Sequence, residues 1–142
     1  MIFVDSSVWV ASFSDRHPHH EASRPLLAGL RRSRSGCAVH SLAEVYASLT
    51  RLPGESRAHP RAAMQFIERM QQHTTIITLD GGEYFDTIDA MSRRGMTGAV
   101  IYDALILACA RKVRAERIYT WNLRHFRAVA PDLAAKIMTP AE

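Results

Sequence analysis

Three acidic residues stand where a short strand ends or a helix begins. Asp5 ends the opening run MIFVD, Glu44 lies in HSLAEVY, and Asp103 stands near the start of IYDALILACA. In a parallel sheet such positions meet at one edge, so we expect the three carboxylates to converge. Converging carboxylates repel one another unless a cation joins them. Oxygen-only ligands favour hard cations such as Mg²⁺ and Mn²⁺, which can activate water for phosphodiester hydrolysis.

Each acid also has a purely structural interpretation. Asp5 could cap the helix that follows it, and Asp103 could offset the dipole of its own helix. Ser41 and Glu44 match the S-x-x-E pattern of a capping box. However, the helix after Asp103 is otherwise almost wholly apolar, which places a charge beside the core. Taken together, the three acids favour a metal site over three separate caps.

The elements that must position these acids alternate between short apolar runs and helical patterns. The expected strands are Ile2–Val4, Cys37–His40, Thr75–Leu79, Arg117–Thr120 and, at an edge of the sheet, Ile137–Met138. The expected helices are Ser7–Phe13, His20–Leu30, Ser41–Leu52, Arg61–His73, Gly82–Arg94 and Tyr102–Val113. Strands separated by helices predict a single three-layer α/β/α domain over residues 1–142. Its sheet is mostly parallel, with four or five strands and the first strand central.

Four segments resemble the PIN-domain family in its VapC branch. MIFVDSSVWVASF is similar to the family's first strand, with the acid Asp5 followed by a small hydroxyl residue. S-L-A-E-V resembles the segment that carries the second acid, here Glu44. The stretch from Gly95 through YDALILACA resembles the third, with Asp103. YTWNLRHF resembles a fourth pattern, T-x-[DN]-x-x-x-F. One such segment is weakly specific, but four in order over essentially the whole chain are strongly so.

The resemblance implies a PIN fold and a Mg²⁺-dependent endoribonuclease, in which Mn²⁺ is expected to substitute. Asp5, Glu44 and Asp103 would be the catalytic and metal-binding residues. The resemblance further implies the toxin of a type II VapBC toxin–antitoxin system, a VapB-like antitoxin that inhibits it, and a homodimer. A housekeeping PIN nuclease without an antitoxin is the alternative within the family. One departure is that the fourth position is Asn122 rather than an acid.

Polar residues next to these motifs are candidates for supporting roles. Ser6 could orient Asp5 or a water molecule, or it could cap a helix. Thr120 could form hydrogen bonds in the same cleft, or it could be simply a β-branched strand residue. Asn122 could offer a neutral oxygen ligand, or it could cap the turn that follows it.

The basic residues after Asn122 are candidates for contacts with RNA. Arg124, His125 and Arg127 could bind phosphates, with a solvated surface as the alternative. Across the chain, 16 of the 18 basic residues are arginine and the net charge is +4. Guanidinium groups suit phosphate recognition, although codon usage in a genome of high GC content would also enrich arginine.

Three histidines and two aromatic residues near the N-terminus each have a structural interpretation beside a functional one. His17, His19 and His20 look like a metal cluster, but they lie in an irregular segment around a proline. Trp9 and Phe13 are one helical turn apart and are expected to pack in the core. Their alternatives are a surface for stacking bases and a groove for the antitoxin.

The sequence favours a cytoplasmic protein. No apolar run approaches the roughly 18 residues needed to span a bilayer, so no membrane is expected as a partner. The opening residues lack a basic leader, and a secretory signal is not expected. Cys37 and Cys109 lie among apolar neighbours, as reduced core cysteines do.

Other protein classes explain less of the sequence. A phosphoacceptor receiver domain needs a lysine at a late strand end, but the only lysines are Lys112, inside a helix, and Lys136, near the end of the chain. A haloacid-type phosphatase needs an aspartate where Ser7 stands. A Rossmann domain needs a glycine-rich turn that DSSVW lacks. A metal-free nuclease would use two histidines, and no pair has a recognisable setting. A non-enzymatic RNA-binding module accounts for the arginines but not for the acids.

Overall fold

A parallel sheet of five strands forms the centre of the protein in a computed structural model that describes residues 1–142. The strands are β1 (Ile2–Val4), β2 (Ser35–Ala38), β3 (Thr75–Ile77), β4 (Arg117–Tyr119) and β5 (Ile137–Met138). Their order is β3-β2-β1-β4-β5, and every neighbouring pair is parallel. The prediction of a parallel sheet with the first strand central is therefore confirmed.

Helices cover both faces of this sheet. They are α1 (Ser6–Phe13), α2 (His20–Ala28), α3 (Val39–Leu49), α4 (Pro60–His73), α5 (Gly81–Arg93), α6 (Val100–Lys112) and α7 (Leu123–Val129). Short 3₁₀ helices span Gly54–Ser56 and Pro131–Lys136. None of the helices is both long and apolar enough to cross a membrane.

Alternating side chains of the strands build two separate cores. On β1, Phe3 packs against α5, α6 and α7, whereas Val4 packs against α1 to α4. On β4, Ile118 belongs to the same core as Phe3, and Tyr119 belongs to the same core as Val4. Because successive side chains of a strand point to opposite faces, a sheet buried on both faces needs apolar residues at consecutive positions. This arrangement confirms the predicted α/β/α layers.

The second strand and the helix after it begin earlier than the sequence pattern indicated. The strand was expected at Cys37–His40, but Ser35 and Gly36 pair with β1 and are fully buried. A Cβ atom on Gly36 would lie 2.9 Å from the Met1 sulfur and 3.3 Å from the Ile77 side chain, so a larger residue there would require these side chains to shift. The polar run RRSRSG therefore ends in a strand, and α3 begins at Val39 instead of Ser41.

Other boundaries differ by a few residues, and one helix was missed. The helix α6 begins at Val100, two residues before the predicted start. The missed helix, α7, buries Phe126 and Val129 against the core. With only seven residues it offers too short a pattern to be distinguished from a loop. The predicted stop after α5 is confirmed, since Gly95 adopts a φ of 67° directly after the helix ends.

Candidate active site

Asp5 lies at the carboxyl end of the central strand and is 1% exposed. Its backbone N–H donates to the Tyr119 carbonyl at 2.9 Å, which fixes it at the point where β1 and β4 end. Its carboxylate accepts hydrogen bonds from the Ser7 hydroxyl at 2.7 Å and from the Thr120 hydroxyl at 2.9 Å. The same carboxylate also caps α1 by accepting from the Ser7 backbone N–H. Capping and site formation therefore coincide in one residue.

Ser6 connects Asp5 to the second acid. Its hydroxyl oxygen lies 3.3 Å from Asp5 Oδ1 and 3.3 Å from Glu44 Oε1, as a donor to either. A serine hydroxyl has one proton, so it can satisfy only one of the two carboxylates at a time. The other carboxylate then lacks the Ser6 proton, and this pair of carboxylates can attract a proton or a cation.

Glu44 lies in the second turn of α3 and is not part of a helix cap. The N-cap residue of α3 is Ala38, and the Ser41 hydroxyl is buried without a hydrogen-bond partner. The capping-box interpretation of Ser41 and Glu44 is therefore wrong. Burial and, after it, the negative charge of Asp5 raise the pKa of Glu44 to about 7. His40, one turn earlier on the helix, approaches Glu44 at 4.0 Å.

Asp103 completes the acidic group from the first turn of α6, where it is half-buried. Burial and, after it, the negative charge of Asp5 raise the pKa of Asp103 to about 6, while His125 acts in the opposite direction. Glu44, Asp103, Asn122 and His125 border one cavity of about 410 Å³. Glu44 and Asp103 thus border a common cavity, and the buried Asp5 lies close enough for its charge to act on both.

The chemistry of this region fits a hard divalent cation. The donors are carboxylate, amide and hydroxyl oxygens, and no thiol is among them. Burial and, after it, the charge of Asp5 raise the pKa of Glu44 and of Asp103, and a bound cation would favour the charged form of both. No three acidic, histidine or cysteine side chains lie close enough together to hold one ion directly. Direct coordination would therefore involve fewer protein groups, with water completing the shell.

Thr120 and Asn122 enter the site from the end of β4. The Thr120 hydroxyl donates to Asp5 and accepts from the Asn122 backbone N–H at 3.0 Å. The Asn122 side chain is exposed and makes no capping hydrogen bond to α7, so its interpretation as a turn cap is wrong. It borders the same cavity as Glu44 and Asp103.

Ser7 is a site residue that the sequence analysis missed. Its hydroxyl donates to Asp5 and accepts from the Trp121 backbone N–H at 2.9 Å, so it joins β1 to the segment after β4. The available signal was the pair of serines directly after the acid, because serine at the start of a helix commonly forms hydrogen bonds with nearby residues.

The basic and aromatic candidates have different settings. Arg124 is exposed and forms no side-chain hydrogen bond or ion pair, whereas Arg127 donates to the Ile137 carbonyl at 2.8 Å and ties α7 to β5. Trp9 is 4% exposed and packs edge-on against Phe66, as does Phe13. The expectation that Trp9 and Phe13 pack in the core is therefore confirmed.

The histidine cluster divides into two parts. His20 is buried, and its ring nitrogen lies 3.2 Å from the Ala11 carbonyl. His17 and His19 remain at the surface with ring centres 5.7 Å apart. With His20 directed into the interior, the three do not form a metal site.

Comparison with known proteins agrees with this geometry. The model of the PIN domain family matches residues 2–131. This chain belongs to the PIN-domain family. A relative of this PIN domain is Ribonuclease VapC40 of Mycobacterium tuberculosis, 33% identical over 125 residues, which are 87% of this chain and 88% of the relative.

Solved structures share the fold. VapC20 of M. tuberculosis, described as a toxin that cleaves the sarcin-ricin loop, superimposes with a TM-score of 0.72 at 22% identity, over 90% of this chain and 95% of VapC20. A chain of the VapBC-1 structure from nontypeable Haemophilus influenzae matches with a TM-score of 0.66 at 15% identity, over 100% of both chains. At these identities the likeness concerns the fold.

Proposed function

We propose that this PIN domain is a Mg²⁺-dependent endoribonuclease and the toxin of a VapBC toxin–antitoxin pair. The observation that carries the proposal is the group of Asp5, Glu44 and Asp103 at the carboxyl edge of the sheet, where Ser6 bridges the first two. A non-enzymatic RNA-binding module has no need of Glu44 and Asp103 in a cleft where burial and, after it, the charge of Asp5 raise the pKa of both. The relative that covers most of the chain is named a ribonuclease, which supports the same reaction.

Asp5 and Asp103 would hold the cation, with Glu44 supporting it through water. When bound, Mg²⁺ supplies a Lewis acid that lowers the pKa of water and offsets the charge of the phosphate. The Ser7 and Thr120 hydroxyls both donate to Oδ2 of Asp5, which fixes its orientation and leaves Oδ1, the oxygen nearest Ser6, directed toward Glu44. Mn²⁺ is expected to substitute, since it accepts the same oxygen ligands.

The Glu44 carboxylate can also hold a proton near neutral pH. Its Oε1 atom accepts from Ser6, and its pKa near 7 allows it to take up or release a proton at the pH of the cell. Asn122 offers a neutral amide oxygen at the border of the cleft. Arg124, exposed and without a protein partner, is free to meet an RNA phosphate.

A VapB-like antitoxin is the partner that we propose. Structural neighbours include toxin–antitoxin complexes, among them VapBC-1. An antitoxin that offers an arginine to the half-buried carboxylates would neutralise them in place of metal and block the cleft. Both cysteines are free and buried, which suits a reducing compartment, and we propose that the protein acts in the cytoplasm.

The test is incubation of the purified protein with total cellular RNA, with Mg²⁺ and with EDTA, followed by mapping of the product ends. Attack by water on phosphorus leaves a 5′-phosphate and a 3′-hydroxyl. Asp5→Asn should remove nearly all cleavage, because it removes the charge and keeps the shape, and its circular dichroism spectrum should match the wild type. Full cleavage in EDTA, or a 2′,3′-cyclic phosphate, would contradict the proposal.

The toxin role needs a separate experiment in cells. Expression of the chain alone should arrest growth, and Asp103→Asn at the same expression level should relieve the arrest. Harmless expression of the wild type, together with absence of an adjacent small antitoxin gene, would identify a housekeeping PIN nuclease instead.

A further inference from the structure

An aromatic wall stands beside the acidic group. The His19 ring stacks on the Trp121 ring with centres 3.8 Å apart and planes 8° from parallel. The His17 ring continues this wall, 5.7 Å from His19 and tilted by 46°. His19 is exposed, and Trp121 is half-buried. Paired planar rings at a cleft are the side chains on which nucleobases stack.

A cavity of about 520 Å³ is lined both by this wall and by Glu44. His17, His19 and Trp121 line one part of it, and Ser6, Glu44 and Asn122 line another. Glu44 and Asn122 also border the cavity that Asp103 lines, so the two cavities adjoin at these residues. The volume lies within the range of about 300–1,000 Å³ that is typical of small-ligand sites, which is enough for one nucleobase.

Hydrogen bonds hold the wall at a fixed place relative to Asp5. The Trp121 indole N–H donates to the Ser23 hydroxyl at 2.9 Å, and its backbone N–H donates to Ser7, which in turn donates to Asp5. A base stacked on His19 therefore rests on a ring that covers Trp121, whose backbone is connected to Asp5 through Ser7. Such preorganisation is what positioning of a substrate requires.

The turn that carries the histidines is held in a similar way. The His19 backbone N–H donates to Nδ1 of His17 at 3.1 Å, which requires an unprotonated nitrogen at that position. Burial, together with His19 and His20, lowers the pKa of His17 and agrees with a neutral ring. The aromatic faces of this wall suit the stacking of bases, in contrast to the arginines elsewhere on the surface, which suit phosphates.

We propose that the pocket formed by His17, His19 and Trp121 binds one base of single-stranded RNA next to the phosphate that is cleaved. The base stacks on the wall, and its identity contributes to the choice of cleavage site. This inference rests on the proposed function, since the acids supply the cleavage. It gives His17 and His19, which do not form a metal site, a role in binding RNA.

The experiment measures binding in EDTA, where cleavage is absent. The probes are five-nucleotide single-stranded RNAs and an abasic five-mer of ribose phosphates. The readout is Trp121 fluorescence in a Trp9→Phe background, which leaves Trp121 as the single tryptophan. We expect quenching by RNA that contains bases and little by the abasic strand. His19→Ala should weaken binding about 5- to 100-fold, as loss of one stacking platform predicts.

Matched variants separate stacking from general damage. His19→Phe keeps a flat ring and should bind RNA within about threefold of the wild-type affinity, whereas His19→Ala, which has no ring, should bind more weakly. His73→Ala, at an exposed histidine at the end of α4, should bind like the wild type. With Mg²⁺, His19→Ala should raise KM more than it lowers kcat and reduce the preference among bases at the cleavage site.

The outcomes distinguish this inference from the proposed function. Equal binding of abasic and base-containing strands, or equal affinities for His19→Ala and His19→Phe, would overturn the base pocket even if the wild type cleaves RNA. Base-dependent quenching without any Mg²⁺-dependent cleavage would overturn the nuclease and leave the pocket standing. Asp103→Asn should keep the quenching in EDTA and lose cleavage.

Discussion

At the scale of single residues, the site depends on how Asp5 is held. Three hydroxyl groups surround its carboxylate, and two of them, from Ser7 and Thr120, reach the same oxygen. Hydrogen bonds of this kind stabilise the charged form of a buried carboxylate. Glu44 and Asp103 lie in the field of that charge, and their raised pKa values follow from it after burial. The site therefore combines a buried, hydrogen-bonded carboxylate with two carboxyl groups whose pKa values are raised to about 7 and about 6.

We propose that Asn122 influences how strongly the site would hold cations. A unit charge about 5 Å from a divalent ion contributes several kcal/mol at an effective dielectric near 20, and less at an exposed position. Asn122→Asp should therefore lower the Mg²⁺ concentration for half-maximal cleavage severalfold, measured by titration of the initial rate. Gln65→Glu adds the same charge to an exposed position on α4 and should leave the concentration unchanged. An unchanged Mg²⁺ dependence in Asn122→Asp would remove Asn122 from the site.

Glu44 gives the metal-free protein a pH-dependent stability. Its pKa is raised from an ordinary value of 4.5 to about 7, so the folded state binds a proton that the unfolded state releases. This contribution is fully present below about pH 4.5 and is lost as the pH rises through about 7. In EDTA, the stability of the wild type relative to Glu44→Gln should fall over that interval, as measured by urea unfolding.

Glu68→Gln is the control for this measurement, because Glu68 is exposed on α4. The stability difference between the wild type and Glu68→Gln should vary much less over the same interval. A difference between wild type and Glu44→Gln that stays constant from pH 4.5 to 8 would show that the folded state does not raise the pKa of Glu44.

At the scale of elements, short junctions between strands and helices bring the side chains together. One residue, Asp5, separates β1 from α1, and α3 follows β2 without any connecting residue. Residues 120–122 join β4 to α7. Such junctions leave the chain little freedom, so the functional groups are positioned by the sheet itself. The early start of α3 places Glu44 in its second turn, where it meets Ser6.

The position of Ser41 inside α3 can be tested by its removal. The Ser41 hydroxyl is buried and has no partner, so Ser41→Ala should leave the free energy of unfolding unchanged or raise it by up to about 1 kcal/mol. Asp80→Ala is the contrasting variant. Asp80 and Glu83 form a true capping box at α5, and its loss should cost about 1 kcal/mol. A similar loss in Ser41→Ala would restore the capping interpretation.

At the scale of the whole molecule, the apolar surface bears on assembly. The helix α5 exposes three large side chains on neighbouring positions, namely Tyr84, Phe85 and Ile88, of which Phe85 is 69% exposed. Single exposed apolar residues are ordinary, but three on one helix indicate a surface that a partner covers. The homodimer implied by the family resemblance would bury them.

A charge on this surface tests whether α5 forms the interface of the homodimer that the family resemblance implies. Phe85→Asp should convert a dimer into a folded monomer in size-exclusion chromatography with light scattering, because an aspartate at a buried interface is unpaired. Met64→Asp is a matched control, since Met64 is 46% exposed on α4. A monomeric wild type, or a Phe85→Asp variant that remains dimeric, would place the interface elsewhere or remove it.

The sequence by itself determined the sheet, its central strand and the three acids, because these follow from local patterns and from the rule that strand ends meet at one edge. Only the tertiary structure decided the start of β2 and the placement of Glu44, since both depend on pairing between Gly36 and Phe3. The contacts of Thr120 with Ser7 and with Asp5 also join residues more than 110 positions apart. The periodicity of apolar residues shows which face of its own helix or strand a residue occupies. Contacts between distant residues depend instead on the register between elements, and no local pattern contains that register.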